Sequence, residues 1–348
     1  MMHIRSNIRS YNVYFSSKFK FNNSNKTYYI VDDFFFRKKI KNLKLNYKNT
    51  IFVKANETSK SYENISPIIT ALLSKKIDKS STIVCIGGGT IQDISSFISF
   101  IIFRGINWFF VPTTLLAQAD SCIGSKIAIN LKNTKNVLGG YWPANKIFIS
   151  DHFLKSLPKI EIYSGFGEMA HYFYLSTKKD YLFFKNTVEK MIEDKQFAYK
   201  ELIQRSLYIK KKFIEKDEFE RKERIFLNYG HTFGHAIEST SNFKIPHGIA
   251  VSIGMHIANY ISYKIGYIDE KQLKDYQDCL EKIFISYKKY FISPRKLFKA
   301  ILQDKKTLNN KIRIILIKKI GKPTIKVFSS NITLLNLLKD YFEYKKLI

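Results

Sequence analysis

Three consecutive glycines, Gly87, Gly88 and Gly89, join an apolar run (STIVCI, 81–86) to an amphipathic one (TIQDISSFISFIIF, 90–103). A β-branched run that ends in glycine and gives way to helical periodicity predicts a strand, a tight turn and a helix. The next run, NWFFVPTT (107–114), predicts another strand. Upstream, TYYIVDD (27–33) and NTIFVKA (49–55) have strand character, and NISPIITALLSKKI (64–77) has helical apolar spacing. This alternation points to βαβ units around a parallel sheet. From about residue 160 helical periodicity takes over, in 164–195, 198–218, 231–240, 247–266 and 269–285. The expectation is an α/β domain over 1–160 and a mainly α-helical domain over 161–348. The cleft between two such domains is the default place for a site.

Glycines at the mouth of a helix let the backbone approach a phosphate, and the helix N-terminus adds free N–H groups and positive partial charge. The segment reads GGGTIQD, without the GxGxxG spacing. A tight turn that needs positive φ is the competing explanation of the same three residues.

Metal-ligand chemistry clusters further along. Glu168 lies in GFGEMAHYF, His231 and His235 in NYGHTFGHAIE, and His247 in PHGIAV. Three of the chain's seven histidines fall within 231–247, which favours a site over isolated structural histidines. His231 and His235, four apart, share a face if the segment is helical. Two histidines and a carboxylate suit Zn²⁺ or a similar cation with positions left open. Spacing alone leaves open which two histidines bind, and His171 is a further candidate. The polar block VPTTLLAQADSCIGSKIAINLKNTKN (111–136) offers Lys126, Lys135 and Asn136 to a phosphate or carboxylate, with a solvated loop as the plain alternative.

Composition narrows the class. Of 348 residues, 58 are Lys or Arg and 29 Asp or Glu, a formal net charge of +29. The lysines are scattered, and Lys, Asn, Ile, Tyr and Phe are all favoured by A/T-rich codons. The charge is therefore read as coding bias that still attracts anionic substrates, with no nucleic-acid partner. Apolar runs stay short of a membrane span, and the first residues lack the apolar core of a secretory signal. A cytoplasmic protein with no membrane partner is expected. Cys85, Cys122 and Cys279 show no CxxC spacing, so neither a disulfide framework nor a cysteine metal site is predicted.

Taken together, GGGTIQDISSF, the Arg104–Gly105 pair, PTTLLAQADSCIGSK, the Lys135–Asn136 pair, SGFGE, LNYGHTFGHAIE and HGIAVSIGM resemble the 3-dehydroquinate synthase family of sugar-phosphate cyclases. They run in the family's order across about residues 81–260. The resemblance implies a Rossmann-like parallel sheet followed by a helical metal- and substrate-binding domain. It makes Glu168, His231 and His247 the metal ligands and His235 a substrate-side residue. Gly88, Gly89, Asp93, Thr113 and Thr114 match NAD⁺ contacts, and Glu57 and Lys60 match adenosine-ribose contacts. Asp120, Lys126, Lys135, Asn136, Lys210, Arg224 and Asn228 match active-site positions; Asp120, Lys126 and Lys135 also border the cofactor. Lys306 matches a substrate lysine. Arg104 resembles an arginine that reaches a neighbouring subunit's phosphate site, which implies a homodimer.

The chemistry so implied uses NAD⁺ and a divalent metal, zinc or cobalt. A ring hydroxyl of 3-deoxy-arabino-heptulosonate 7-phosphate is transiently oxidised, phosphate is eliminated, the hydride returns, and an aldol step closes the ring to 3-dehydroquinate. Three positions depart from the family pattern. Ser125 stands where GGK is usual, GGYW (139–142) stands for GxF, and His171 replaces a lysine three residues after the metal-binding glutamate. Lysine is a fixed cation, whereas histidine changes charge with its surroundings. Lys210 and Arg224, the positions that read a substrate carboxylate, are retained, which favours a keto-acid substrate. A cyclase acting on another phosphorylated sugar is the runner-up. A metal-dependent alcohol dehydrogenase, which would release NADH, and a basic nucleic-acid binder are the readings from other classes.

Overall fold

The computed structural model describes residues 1–16, 25–38, 45–132, 134–193, 199–287, 292–303, 311–328 and 331–345. They form two compact units. One comprises Met1–Leu157 and Lys211–Phe219, the other Pro158–Lys210 and Glu220–Ile348.

The strands of the first unit are β1 (Met2–Ile4), β2 (Tyr11–Phe15), β3 (Thr27–Asp32), β4 (Thr50–Val53), β5 (Thr82–Gly87), β6 (Asn107–Pro112), β7 (Lys126–Leu131), β8 (Thr134–Tyr141) and β9 (Lys146–Ile149). Seven of them make one sheet, in the order β1-β2-β9-β6-β5-β3-β4. β1 and β2 pair antiparallel, and every other pairing in the sheet is parallel. The helices α1 (Asp33–Arg37), α2 (Tyr62–Ser74) and α3 (Gly89–Ile101) connect successive strands. Ile83, Val84, Cys85 and Ile86 of β5 are wholly buried, as a continuous apolar run in a parallel sheet covered on both faces must be.

The polar block is not the solvated loop that its composition suggested. Ala117–Ser121 forms a π-helical turn, and β7 and β8 form an antiparallel hairpin. The turn is fixed from inside. The buried Gln118 amide donates to the carbonyls of Pro112 at 3.1 Å and Ser150 at 2.7 Å. Those bonds depend on β6 and on the residue after β9, which local pattern does not reveal.

The second unit contains α4 (Lys159–Tyr174), α5 (Lys178–Glu193), most of α6 (Tyr199–Lys216), α7 (His231–Thr240), α8 (His247–Lys264), α9 (Glu270–Phe284), α10 (Pro294–Gln303) and α11 (Asn331–Tyr344). A two-stranded hairpin, β10 (Ile312–Lys319) and β11 (Lys322–Phe328), completes it. The single helical period expected over 164–195 is two helices. Thr177 and Asp180 cap α5 reciprocally. The Asp180 N–H donates to Thr177 Oγ1 at 3.1 Å, and the Thr177 N–H donates to Asp180 Oδ2 at 3.4 Å. Such a capping box starts a new helix whatever the apolar period around it.

Helix α8 is buried on nearly all sides, the mark of a central helix. Small residues let its neighbours reach its backbone. A Cβ on Gly167 of α4 would lie 2.0 Å from the Gly248 carbonyl oxygen, and one on Gly248 would lie 1.8 Å from that of Ser164. A Cβ on Gly254 would lie 2.1 Å from the Gly230 carbonyl oxygen, and Gly230 has φ +85° at the entrance to α7. Thus α4, α7 and α8 meet backbone to backbone where their polar side chains emerge.

Candidate active site

In the second unit, α4 contributes Glu168 and His171, α7 contributes His231, His235 and Glu238, and α8 begins with His247. His231 Nε2 lies 3.4 Å from Glu168 Oε1, and His247 Nε2 lies 3.3 Å from Glu168 Oε2. Glu168, His231 and His247 each offer a ligand atom within 4.8 Å of the others. The remaining ring nitrogens have other partners. His231 Nδ1 faces the Tyr229 carbonyl at 3.4 Å, and His247 Nδ1 faces Glu238 Oε2 at 3.0 Å. An acceptor faces each Nδ1, so a tautomer with its proton on Nδ1 would leave Nε2 as the ligating nitrogen when a cation is bound.

This donor set fits a cation. Glu168 is buried, and its Oε2 makes no well-formed hydrogen bond. A buried carboxylate needs compensation, and two imidazole nitrogens with one carboxylate are a common set for Zn²⁺ or Co²⁺. Without a cation, the carboxylate and the imidazoles compensate one another. Burial would raise the Glu168 carboxyl, yet His231 and His247 hold it well below the usual range. Burial would lower His247, yet Glu168 and Glu238 hold it well above the usual imidazole range.

His235 packs its ring 5.6 Å from that of His231 and 5.8 Å from that of His247. It groups with Glu238 and His247 instead of Glu168. His171 is buried, with its ring centroid 5.3 Å from that of His231 and its Nδ1 3.9 Å from Glu168 Oε1. Lys210 and Arg224 are buried in the same unit. Asn228 donates to the Ile225 carbonyl and to Glu220. Lys306 lies outside the described residues.

The first unit gathers the other candidates. None of Gly87, Gly88 and Gly89 has positive φ, so a left-handed backbone does not account for them, but the tight turn itself requires Gly87, whose Cβ would lie 2.6 Å from Ile91 Cβ. Gly88 is the N-cap of α3 and no side chain caps that terminus, which leaves first-turn N–H groups for an anion. A Cβ on Gly88 would press on Thr114 Cγ2 at 2.9 Å, whereas one on Gly89 would find only Ser121 Oγ at 4.0 Å. The Thr113 N–H donates to the Gly87 carbonyl at 3.0 Å and ties β6 to this turn.

Beside α3 runs a charged network. Lys60 is buried; its Nζ lies 2.6 Å from Asp93 Oδ2 and donates to Asn136 Oδ1 at 2.7 Å. Burial pushes the Asp93 carboxyl up, opposed by Lys60. Glu57 meets Lys135 at 3.7 Å. Asp120 sits in the π-helical turn and Lys126 opens β7. Phe103 and Arg104 adopt φ +49° and +63° and are exposed. Two such residues in the left-handed region are uncommon and worth a functional explanation.

Three contributors were not singled out in the sequence. Asn130 donates to Glu57 Oε1 at 2.8 Å and accepts from the Asn136 N–H at 3.0 Å, joining two candidates. Glu218 accepts from Ser125 Oγ at 2.7 Å and from the Asn7 N–H at 2.6 Å. It anchors the serine that departs from the family pattern, itself at φ +59°. Glu238 follows His235 by three positions and His231 by seven, so its place on their helical face was available from spacing.

The family model for the 3-dehydroquinate synthase N-terminal part matches residues 50–164, and that for the C-terminal part matches residues 165–307. The 3-dehydroquinate synthase of Dictyoglomus thermophilum is 39% identical over 285 residues, covering 81% of this chain and 80% of the relative. The chain belongs to the 3-dehydroquinate synthase family. That of Campylobacter concisus is 35% identical over 300 residues, covering 86% of each chain. Members of this family are enzymes, and so is this chain. Among solved structures, 2-epi-5-epi-valiolone synthase from Streptomyces hygroscopicus, with NAD⁺ and Zn²⁺ bound, superposes with a TM-score of 0.84 at 18% identity, covering 97% of this chain and 98% of its own. That likeness establishes the fold. Among the described residues no helix is long and apolar enough to cross a membrane.

Proposed function

We propose that the chain converts 3-deoxy-arabino-heptulosonate 7-phosphate to 3-dehydroquinate and phosphate, as a carbon–oxygen lyase dependent on NAD⁺ and a divalent metal. The observation that carries this reading is the convergence of Glu168, His231 Nε2 and His247 Nε2 in a chain that belongs to this family. When bound, NAD⁺ accepts and returns a hydride, and Zn²⁺ or Co²⁺ acts as a Lewis acid.

The protein's own groups bind and orient. Glu168, His231 and His247 hold the cation. The uncapped start of α3, with Gly88 and Gly89, receives the cofactor's phosphates. Thr113, Thr114, Asp93, Glu57 and Lys60 hold the rest of NAD⁺, and Asp120, Lys126 and Lys135 border both cofactor and substrate. Lys210 and Arg224 bind the substrate carboxylate through their amino and guanidinium groups. Asn136, Asn228 and His235 supply hydrogen bonds, and His171 takes the place of a lysine at the substrate. Lys306 is assigned to the substrate by family likeness. Arg104, exposed in a left-handed conformation, serves the phosphate site of a second copy in a homodimer. The substrate's phosphate can accept the proton released in the elimination, so no further protein base is required. The chain works in the cytoplasm, without a nucleic-acid or membrane partner.

The test is phosphate release from 3-deoxy-arabino-heptulosonate 7-phosphate with NAD⁺ and Zn²⁺ or Co²⁺, followed together with NADH absorbance. Release without net NADH is expected. Net NADH would indicate a dehydrogenase. No release from folded protein that binds metal and NAD⁺ would point to another phosphorylated sugar, with His171 as the altered contact.

A further inference from the structure

The two histidines that face Glu168 are supported unequally. His231 Nδ1 has a neutral carbonyl, that of Tyr229, at 3.4 Å. His247 Nδ1 has a carboxylate oxygen of Glu238 at 3.0 Å. Glu238 sits near the end of α7, where its own carbonyl accepts from the Phe243 N–H at 2.8 Å and from Ser241 Oγ at 3.0 Å. Its backbone is therefore fixed, and its side chain is mostly buried. His247, by contrast, is the first residue of α8 and follows Pro246. Its side chain is 35% exposed, so packing alone holds its ring loosely.

We infer that Glu238 is a positioning residue for the metal centre, accepting the Nδ1 proton of His247 and so fixing the tautomer and ring plane that aim Nε2 at the cation. The inference rests on the metal-centre reading above. A carboxylate behind a ligating imidazole also makes the imidazole a stronger donor. The same atoms admit another reading, a second cation held by His235, Glu238 and His247. That cation would have to displace the His247 Nδ1 proton and leave the ring bridging two metals as an anion. The 3.0 Å approach of the carboxylate to Nδ1 favours the proton in that place.

The experiment measures Zn²⁺ and Co²⁺ affinity of the full chain by competition with a chromophoric chelator, for wild type, Glu238→Ala and Glu238→Gln. The visible spectrum of the Co²⁺ form and the metal-free melting curve are recorded alongside. Glu238→Ala is expected to weaken binding about 10–100-fold and to alter the Co²⁺ spectrum. Glu238→Gln keeps an acceptor for Nδ1–H and should fall between, and its near-identical shape guards against a simple folding defect. Wild-type affinity and spectrum in Glu238→Ala would overturn the inference. So would a second equivalent of Zn²⁺ bound by wild type and lost in Glu238→Ala. Failure of wild type to bind any metal would instead overturn the metal-centre reading, so the two failures are distinct.

Discussion

A methyl group added at Gly89, at the start of α3, would meet nothing nearer than Ser121 Oγ at 4.0 Å, whereas one added at Gly248, beside His247, would sit 1.8 Å from the Ser164 carbonyl oxygen. Both glycines stand at the start of a helix next to proposed binding residues. At Gly89 the missing side chain leaves free space in front of uncapped N–H groups. At Gly248 it lets two helix backbones touch, so that Glu168 on one and His247 on the other come within 3.3 Å. The same residue type thus leaves open space in the first unit and permits internal packing in the second. Absence of a side chain shapes a site in two ways, and only the surroundings tell which.

Four substitutions would break or sharpen that contrast, and the largest effect is expected on the metal side. His247→Ala removes one of the three proposed metal ligands. Metal affinity should fall by more than about a hundredfold, beyond the loss typical of an outer partner, and phosphate release should nearly cease. Metal analysis of the purified variant and a turnover assay check this, and retained metal with normal turnover would contradict the assignment. Gly248→Ala should come next. Backbone oxygen cannot move aside as a flexible side chain can, so about 3 kcal/mol of stability should be lost, read by denaturant titration. A variant as stable as wild type would show that α4 and α8 can separate without cost.

Arg224→Ala tests the substrate side. Loss of a buried charge-assisted contact is worth roughly 1.5–3 kcal/mol, and the loss in kcat/KM should be confined to substrates bearing a carboxylate. An equal loss for carboxylate-free analogues would remove that role. Gly89→Ala is the counterpart of Gly248→Ala. Stability should hold or rise by up to ~1 kcal/mol, because alanine suits a helix better. NAD⁺ affinity should fall roughly tenfold, ~1.4 kcal/mol. Unfolding by Gly89→Ala, or unchanged NAD⁺ affinity, would erase the difference between the two glycines.

A smaller effect is expected away from both regions. Burial works to raise the Asp180 carboxyl, yet hydrogen bonds from Ser176, Thr177 and Arg205 hold it down at about 2. Its folded value lies below its unfolded one, so its contribution is present above about pH 4 and is lost as pH falls towards 2. Asp180→Ala should therefore cost about 1 kcal/mol at neutral pH and nearly nothing at pH 2. A constant difference across that range would show that the cap acts by shape and not by charge.

The parallel sheet was legible because β3, β4, β5 and β6 carry their signal locally, in β-branched runs ended by polar or glycine residues. Helices α7, α8 and α9 were legible for the same reason. The β7–β8 hairpin was not, since its strands carry lysines and asparagines that read as loop until Gln118, Asn130 and Asn136 are seen bonded across the chain. Nor was the break between α4 and α5, where one capping box outweighs a continuous apolar period.

The sequence by itself determined the class of fold and the inventory of chemistry: a glycine turn before a helix, a block of lysines and asparagines, and a carboxylate with several histidines. The tertiary structure decided which of these groups meet. His231 and His235 are four apart on one helix, and either could bind a metal. Glu168, brought from α4 by the contact of Gly167 with Gly248, faces His231 and His247, and acceptors on Tyr229 and Glu238 face the other ring nitrogen of each. Periodicity records which face of a helix a residue occupies. It holds no record of which other helix that face will meet, because such contacts depend on packing between segments far apart in the chain.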